Sequence, residues 1–424
     1  MRFTPLIDLR PLRRSPAFRR LWIASTAAGF GDQLATVAVL HQVWELTHST
    51  VWTGAIGLAT AIPTLAAGAL GGTLADTLDR RRVVVATTIG TVATLAGLAV
   101  QAGLDTASVG LVLVLVAVLN TATATGAPAR RTFITRLLPP DLVPAGVALN
   151  HVGFQVAMLV GPVVAGIVIA SRGLFTAYVL GLAAVTVSLH GTARLPTGPG
   201  ETPAGTDAVG TTDDRVQVGA LRATLDGWRF IVNRPVVRGC LAIDLSATVL
   251  AMPIALFPAV NAERSGDGVA TVGFFFSALA VGGVLAGLFA GVITRAAHPG
   301  VLMASAAGMW GVSLAAFGLV HSLPVTLSCL VVAGASDTTA VIARGTLVQL
   351  DTPDAYLGRV SAVENIVGVA GPGLGTARAG AVAGLTSAAA SATSGGLACL
   401  LAVGVVAALT PGLRHWTRTS RVSS

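Results

Sequence analysis

Apolar stretches of about twenty residues, each closed by a short polar or arginine-bearing turn, recur along this chain from Leu21 almost to its end. Roughly 20 apolar residues suffice for a helix to cross a bilayer. The pattern predicts twelve spans, near residues 21–46, 52–74, 83–104, 108–128, 144–170, 173–192, 236–260, 269–294, 300–320, 324–345, 360–385 and 388–410. The sharpest turn is Gly72-Thr-Leu-Ala-Asp76-Thr-Leu-Asp79-Arg80-Arg81-Arg82, which ends one apolar run and opens the next. A loop with two carboxylates and three arginines is stable only outside the hydrocarbon. The pattern divides the chain into an amphipathic, arginine-rich leader (1–20), a six-span bundle (21–195), a linker (196–219), a second region (220–410) and a tail (411–424). The linker is rich in Gly, Pro, Thr and Asp without apolar period, which predicts a flexible connection. Residues 221–231 space their apolar side chains as a helix lying on the membrane surface, ahead of the second six spans.

Composition narrows the class to an all-α integral membrane protein. The chain is 53% hydrophobic and 11% charged, has 50 glycines and a mean hydropathy of +0.78, far too apolar for a soluble protein of this length. A net charge of +8 would suggest nucleic acid in a soluble domain. Here the basic residues cluster at span ends, so they read as orientation signals and no nucleic-acid partner is expected. All 27 basic residues are arginines, and 24 of them fall on one side of the predicted topology. Both termini are therefore expected in the cytoplasm, in a multi-pass protein of the cell membrane. Without lysine the chain lacks a phosphate-binding loop ending in Lys-Ser/Thr and any Schiff-base lysine. Cys240, Cys329 and Cys399 stand singly in apolar segments and read as packing residues. No metal cluster or nucleophile–base pair marks a predicted span, so neither an enzyme nor a cofactor or metal is expected. The apolar run after Arg20 is too long for a signal-peptide core and reads as a retained first span.

A repeat crosses the linker. Pro16, Arg19, Gly68 and Gly72 fall on Pro235, Arg238, Gly287 and Gly291, while Arg130, Thr132 and Pro139 fall on Arg344, Thr346 and Pro353 after a small change of register. Two pseudo-symmetric halves of six spans explain this, as in secondary transporters. Asp76 falls on Arg295, so the second half lacks that acidic group.

Gly72, Leu74, Asp76, Arg80 and Arg81 resemble the loop between helices 2 and 3 of the major facilitator superfamily, with Thr77 and Asp79 departing from the family's Arg and Gly. The resemblance implies two six-helix bundles, and a cytoplasmic latch in which Asp76 caps a helix and pairs with arginine; Asp79 is a competitor for those arginines. Ser15-Pro-Ala-Phe-Arg-Arg-Leu-Trp22, Gly31-Asp32, Ala127-Pro-Ala-Arg-Arg131 and Leu138-Pro-Pro-Asp-Leu-Val-Pro144 look like the enterobactin-exporter-like branch, which includes drug efflux proteins. Gly161-Pro162-Val-Val-Ala-Gly166 resembles the family's antiporter motif, with Ala165 in place of a glycine. The proline removes a helical hydrogen bond and the glycines permit close packing, so the segment can bend and slide. Gly371-Pro372-Gly373-Leu-Gly375 is its counterpart in the eleventh span, and Gly283, Gly287 and Gly291 offer a small face in the eighth. The fourth span, ending near residue 128, lacks the buried arginine common in other drug–proton antiporters.

Ionisable groups inside spans are costly and therefore informative. Asp32 lies about 16 Å into the first span at about 1.5 Å per residue, and leads as the proton-coupling candidate; its alternative is a polar packing contact with Gln33 or a neighbouring span. Asp244 and Asp337 follow, with pairing to Arg238, Arg344 or helix termini as their alternative. Arg378 either faces the cavity, attracting an anionic substrate, or snorkels to the outer interface. Gln42, Gln155, Glu364 and Asn365 are polar candidates for the cavity. The resulting expectation is a monomeric exporter of a small organic molecule by proton antiport with alternating access. A siderophore is the first substrate and a multidrug or macrolide-type efflux pump the alternative. From another class, a non-transporting membrane sensor or complex subunit would also fit.

Overall fold

The computed structural model describes residues 8–77, 79–104, 106, 108–194, 226–265 and 268–416, without the side chains of 68–77, 80, 131, 132 and 265. Everything regular among them is helical. Ten helices are long and apolar enough to cross a membrane. A helical turn satisfies every backbone group internally, the condition set by a solvent that offers no hydrogen bonds.

A short helix, Arg10–Arg14, precedes α1, Pro16–Thr47, so the first long helix begins within the expected leader. Ser15 caps it, accepting from the Phe18 N–H at 3.1 Å while its hydroxyl donates to the Leu137 carbonyl at 3.0 Å. Then follow α2, Thr50–Thr77; α3, Arg80–Gly103; and α4, Val109–Leu137. The next helix, Val143–Ala193, is divided at Gly173, whose φ of 81° and ψ of 172° lie in a region that essentially only glycine occupies. Its arms, 143–172 and 174–193, are α5 and α6.

The expected flexible linker, 196–219, lies outside the described residues. Beyond it, residues 226–233 form a short helix that packs on the start of a later span. Phe230 stacks on Tyr356 at 4.7 Å and Asp226 pairs with Arg359 at 3.7 Å. The expected seventh span is broken. Helix α7, Pro235–Leu250, ends before Ala251–Pro253, a single 3-10 turn follows at Ile254–Leu256, and α8 runs Phe257–Ser265. Pro253 cannot donate a helical hydrogen bond, which accounts for the break in an otherwise apolar run. The remaining long helices are α9, Val269–Leu288; α10, Pro299–Leu319; α11, Leu323–Asp351; α12, Asp354–Leu385; and α13, Ala388–Leu409. Helix α12 is long enough to span but carries Asp354, Arg359, Glu364 and Arg378.

The chain forms two compact units. The first comprises the described residues within Met1–Thr47, Ile62–Thr206 and Gly268–Ser277; the second comprises those within His48–Ala61, Asp207–Asp267 and Ala278–Ser424. In the first, Leu21, Val83, Val84, Ala129 and Phe133 bring α1, α3 and α4 together, and Phe18, Leu138, Leu142 and Leu149 lock α1 to α4 and α5. In the second, Arg264 donates to the Phe317 and Gly318 carbonyls at 2.8 and 2.7 Å, satisfying orphan acceptors at the end of α10.

The small face expected at Gly283, Gly287 and Gly291 is only partly used. A Cβ on Gly283 would meet Thr338 Oγ1 at 3.0 Å, but one on Gly287 or Gly291 would meet nothing within 4 Å. Helix α9 ends at Leu288, and its close approach to α11 is made by Gly282, where a Cβ would lie 2.6 Å from the Ala335 nitrogen.

Candidate functional site

The first unit encloses a cavity of about 500 Å³ whose lining combines apolar residues with Asp32, Asn120, Arg130, Asn150 and several hydroxyls. Its architecture follows from how α1 is clamped. A Cβ on Gly31 would stand 2.6 Å from Val185 and 2.9 Å from the Gly181 carbonyl of α6. A Cβ on Gly161 of α5 would stand 2.6 Å from the Gln33 Cβ. Helix α1 is thus held on both sides of Asp32, and the carboxylate, halfway along Pro16–Thr47, is left exposed into the cavity.

Arg130 reaches the same cavity because α4 continues to Leu137, well past the expected end of the fourth span. The sequence reading that this span lacks a buried arginine is therefore corrected. Arg130 Nη2 donates to Thr88 Oγ1 at 3.0 Å, and Thr88 in turn donates to the Val84 carbonyl at 2.6 Å. The Arg130 Nε is buried with no acceptor. Asp32 and Arg130 interact electrostatically but form no ion pair. Thr91, Asn120 and Thr123 each donate to a carbonyl of their own helix, which leaves their oxygens as acceptors along the cavity wall and one Asn120 N–H still to donate.

The second unit carries a different cluster. Asp244 of α7 is ion-paired with Arg344 of α11, and Arg344 Nε lies 3.7 Å from Glu364 Oε1 of α12. Asp337, two turns before Arg344 on α11, is exposed and electrostatically linked to Asp244 and Arg344. Of the partners considered for Asp244, the structure selects Arg344. Arg378 is turned to the interrupted seventh span, where its Nη1 donates to the Leu250 carbonyl. This carbonyl ends α7, so the guanidinium serves as its cap.

The other sequence candidates are scattered. Gln42 is buried away from the cavity, exchanging 3.0 Å hydrogen bonds with Gln101 and accepting from the Tyr178 hydroxyl at 2.7 Å. This three-helix knot was not anticipated, although two glutamines in apolar spans were its signal. Gln155 is half-buried and Asn365 exposed. In the antiporter-type motif Pro162 lies inside a continuous helix. A Cβ on Gly166 would stand 2.9 Å from the Ala270 Cα. The side chains of Gly72, Asp76 and Arg80 lie outside the described residues. Asp79 is engaged as the cap of α3, accepting from the Arg81 N–H at 2.9 Å, and Arg81 Nη2 donates to the Ala193 carbonyl at the end of α6.

A multi-helix apolar bundle with charged groups facing an internal cavity defines a membrane transporter of the major facilitator type. More particularly, the chain belongs to the transmembrane secretion effector family, MFS_3, whose profile matches residues 7–424. It is 26% identical over 421 residues to the enterobactin exporter EntS of Escherichia coli strain K12, covering 98% of this chain and 96% of that protein. The same identity holds over 407 residues for EntS of Shigella boydii serotype 18, covering 95% and 93%. Among solved structures, it resembles a POT family transporter in complex with 5-aminolevulinic acid, with a TM-score of 0.72 at 11% identity over 94% of this chain and 97% of the other. It also resembles a bacterial homologue of the iron transporter ferroportin, with a TM-score of 0.68 at 14% identity over 95% and 99%. The last two likenesses speak to fold alone. The protein is an enterobactin-exporter-like transporter of small molecules in the membrane.

Proposed function

We propose that this protein exports a siderophore in exchange for protons, by alternating access, with both termini and the 196–219 linker in the cytoplasm. The observation that carries the reading is the placement of Asp32, a carboxylate at the midpoint of a spanning helix that opens into a cavity large enough for a small organic molecule. Such a group is costly in a bilayer unless it serves a pathway. In this reading Asp32 accepts a proton when the cavity faces outward and yields it when the cavity faces inward and substrate arrives. Similarity to the enterobactin exporter along nearly the whole chain supports an iron-chelating substrate. Asp76 with Arg80 and Arg81 would form the cytoplasmic latch, and the packing at Gly161 and Gly166 would let α5 slide against its neighbours.

The test is proton release from acidified inside-out vesicles carrying the wild-type protein or Asp32→Asn, with chelators and drugs added singly. Siderophore-dependent flux in the wild type and none in the variant is the expected result. Undiminished flux in Asp32→Asn would transfer the coupling role to Asp337 or Asp244, and flux driven by drugs alone would remove the siderophore assignment.

A further inference from the structure

The repeat sets Arg130 on Arg344, yet their surroundings differ. Arg344 is ion-paired with Asp244 and Glu364. Arg130 has no carboxylate in contact among the described residues and holds one hydroxyl at the wall of a cavity; like Arg344 it keeps a buried Nε without a hydrogen-bond acceptor, but no ion pair offsets it. A buried guanidinium donor left unsatisfied costs free energy that an incoming acceptor recovers. Among the described residues, the charged groups lining this cavity are Asp32 from α1 and Arg130 from α4; α2, α3, α5 and α6 contribute hydroxyl, amide and apolar groups.

We infer that Arg130 is the substrate-recognition residue of this cavity, and that the substrate carries an anionic oxygen for Arg130 together with a hydrogen-bond donor for Asp32. The argument rests on the antiport reading and sharpens it. A plain anion at Arg130 is repelled by ionised Asp32, so protonation would favour its binding and the two would move in the same direction. Exchange requires that substrate and proton exclude each other, which a substrate carrying an anion achieves by donating a hydrogen bond to the ionised Asp32 carboxylate. One molecule must therefore satisfy both charges, as free dihydroxybenzoate does with its hydroxyls and carboxylate.

The experiment is calorimetric titration of the full-length protein in nanodiscs with dihydroxybenzoate, benzoate and catechol. In the wild type, dihydroxybenzoate should bind most tightly. Arg130→Gln should weaken dihydroxybenzoate and benzoate on the order of 10- to 100-fold, the value of a charge-assisted hydrogen bond, and leave catechol unchanged. Arg130→Lys, which keeps the charge without the fork, should fall between. Lowering the pH while the probes stay ionised should weaken dihydroxybenzoate and strengthen benzoate, and Asp32→Asn should remove both trends. The inference is overturned if the wild type binds no carboxylate probe. It also falls if Arg130→Gln leaves those probes unaffected, or if Arg130→Lys, with thermal unfolding unchanged, loses all three probes equally. Failure of antiport would show instead as no siderophore-dependent proton flux in wild-type vesicles, a readout independent of these titrations.

Discussion

At the scale of single residues, the second unit's cluster carries the largest electrostatic stake. Replacing Arg344 by Gln would strand Asp244 and Glu364 among helices, and breaking a buried pair from one side costs about 3–5 kcal/mol. The expected result is a marked drop in the thermal unfolding temperature in detergent. Adding Asp244→Asn should recover part of it, because a neutral pair removes the uncompensated charge. A variant equal to wild type would mean that the three groups are well solvated. Asp32 and Asp244 were legible from the sequence because carboxylates inside apolar runs stand out. Arg130 was not, because Arg130, Arg131 and Arg136 together read as the charged end of a span. Only the course of α4 to Leu137 brings the first of them to the cavity.

Helix by helix, packing depends on where backbones touch. Gly31 abuts the Gly181 carbonyl, so Gly31→Val should overpack the α1–α6 contact at a cost of about 1–3 kcal/mol. It should also turn Asp32 from its setting, so both unfolding temperature and vesicle proton flux should fall. Flux retained with lowered stability would separate the helix contact from the carboxylate's orientation. The long spans could be read from hydropathy because a bilayer imposes the same length on each. The interruption of the seventh span could not, because Ala251-Met252-Pro253 continues the apolar run; Pro253 alone hinted at it. Likewise the eighth span's glycine spacing predicts a packing face, but which of its glycines meets a neighbour depends on the helix's rotation. Gly282 does, and Gly287 and Gly291 do not.

For the molecule as a whole, arginine placement predicts orientation. A fluorescent reporter fused after Ser424 should mature, and a periplasmic phosphatase fused there should stay inactive; the reverse would invert the proposed topology. The charge asymmetry was readable because it depends only on where arginines fall between the apolar runs. The boundaries of the compact units were not, since residues 48–61 and 268–277 each group away from the spans next to them in sequence, which only tertiary contacts decide. Gly173 has a consequence during synthesis. Because α5 and α6 meet there without an intervening loop, the two are expected to enter the bilayer together as one hairpin. A ribosome stalled between them should then leave α5 less fully integrated than one stalled after Ala193.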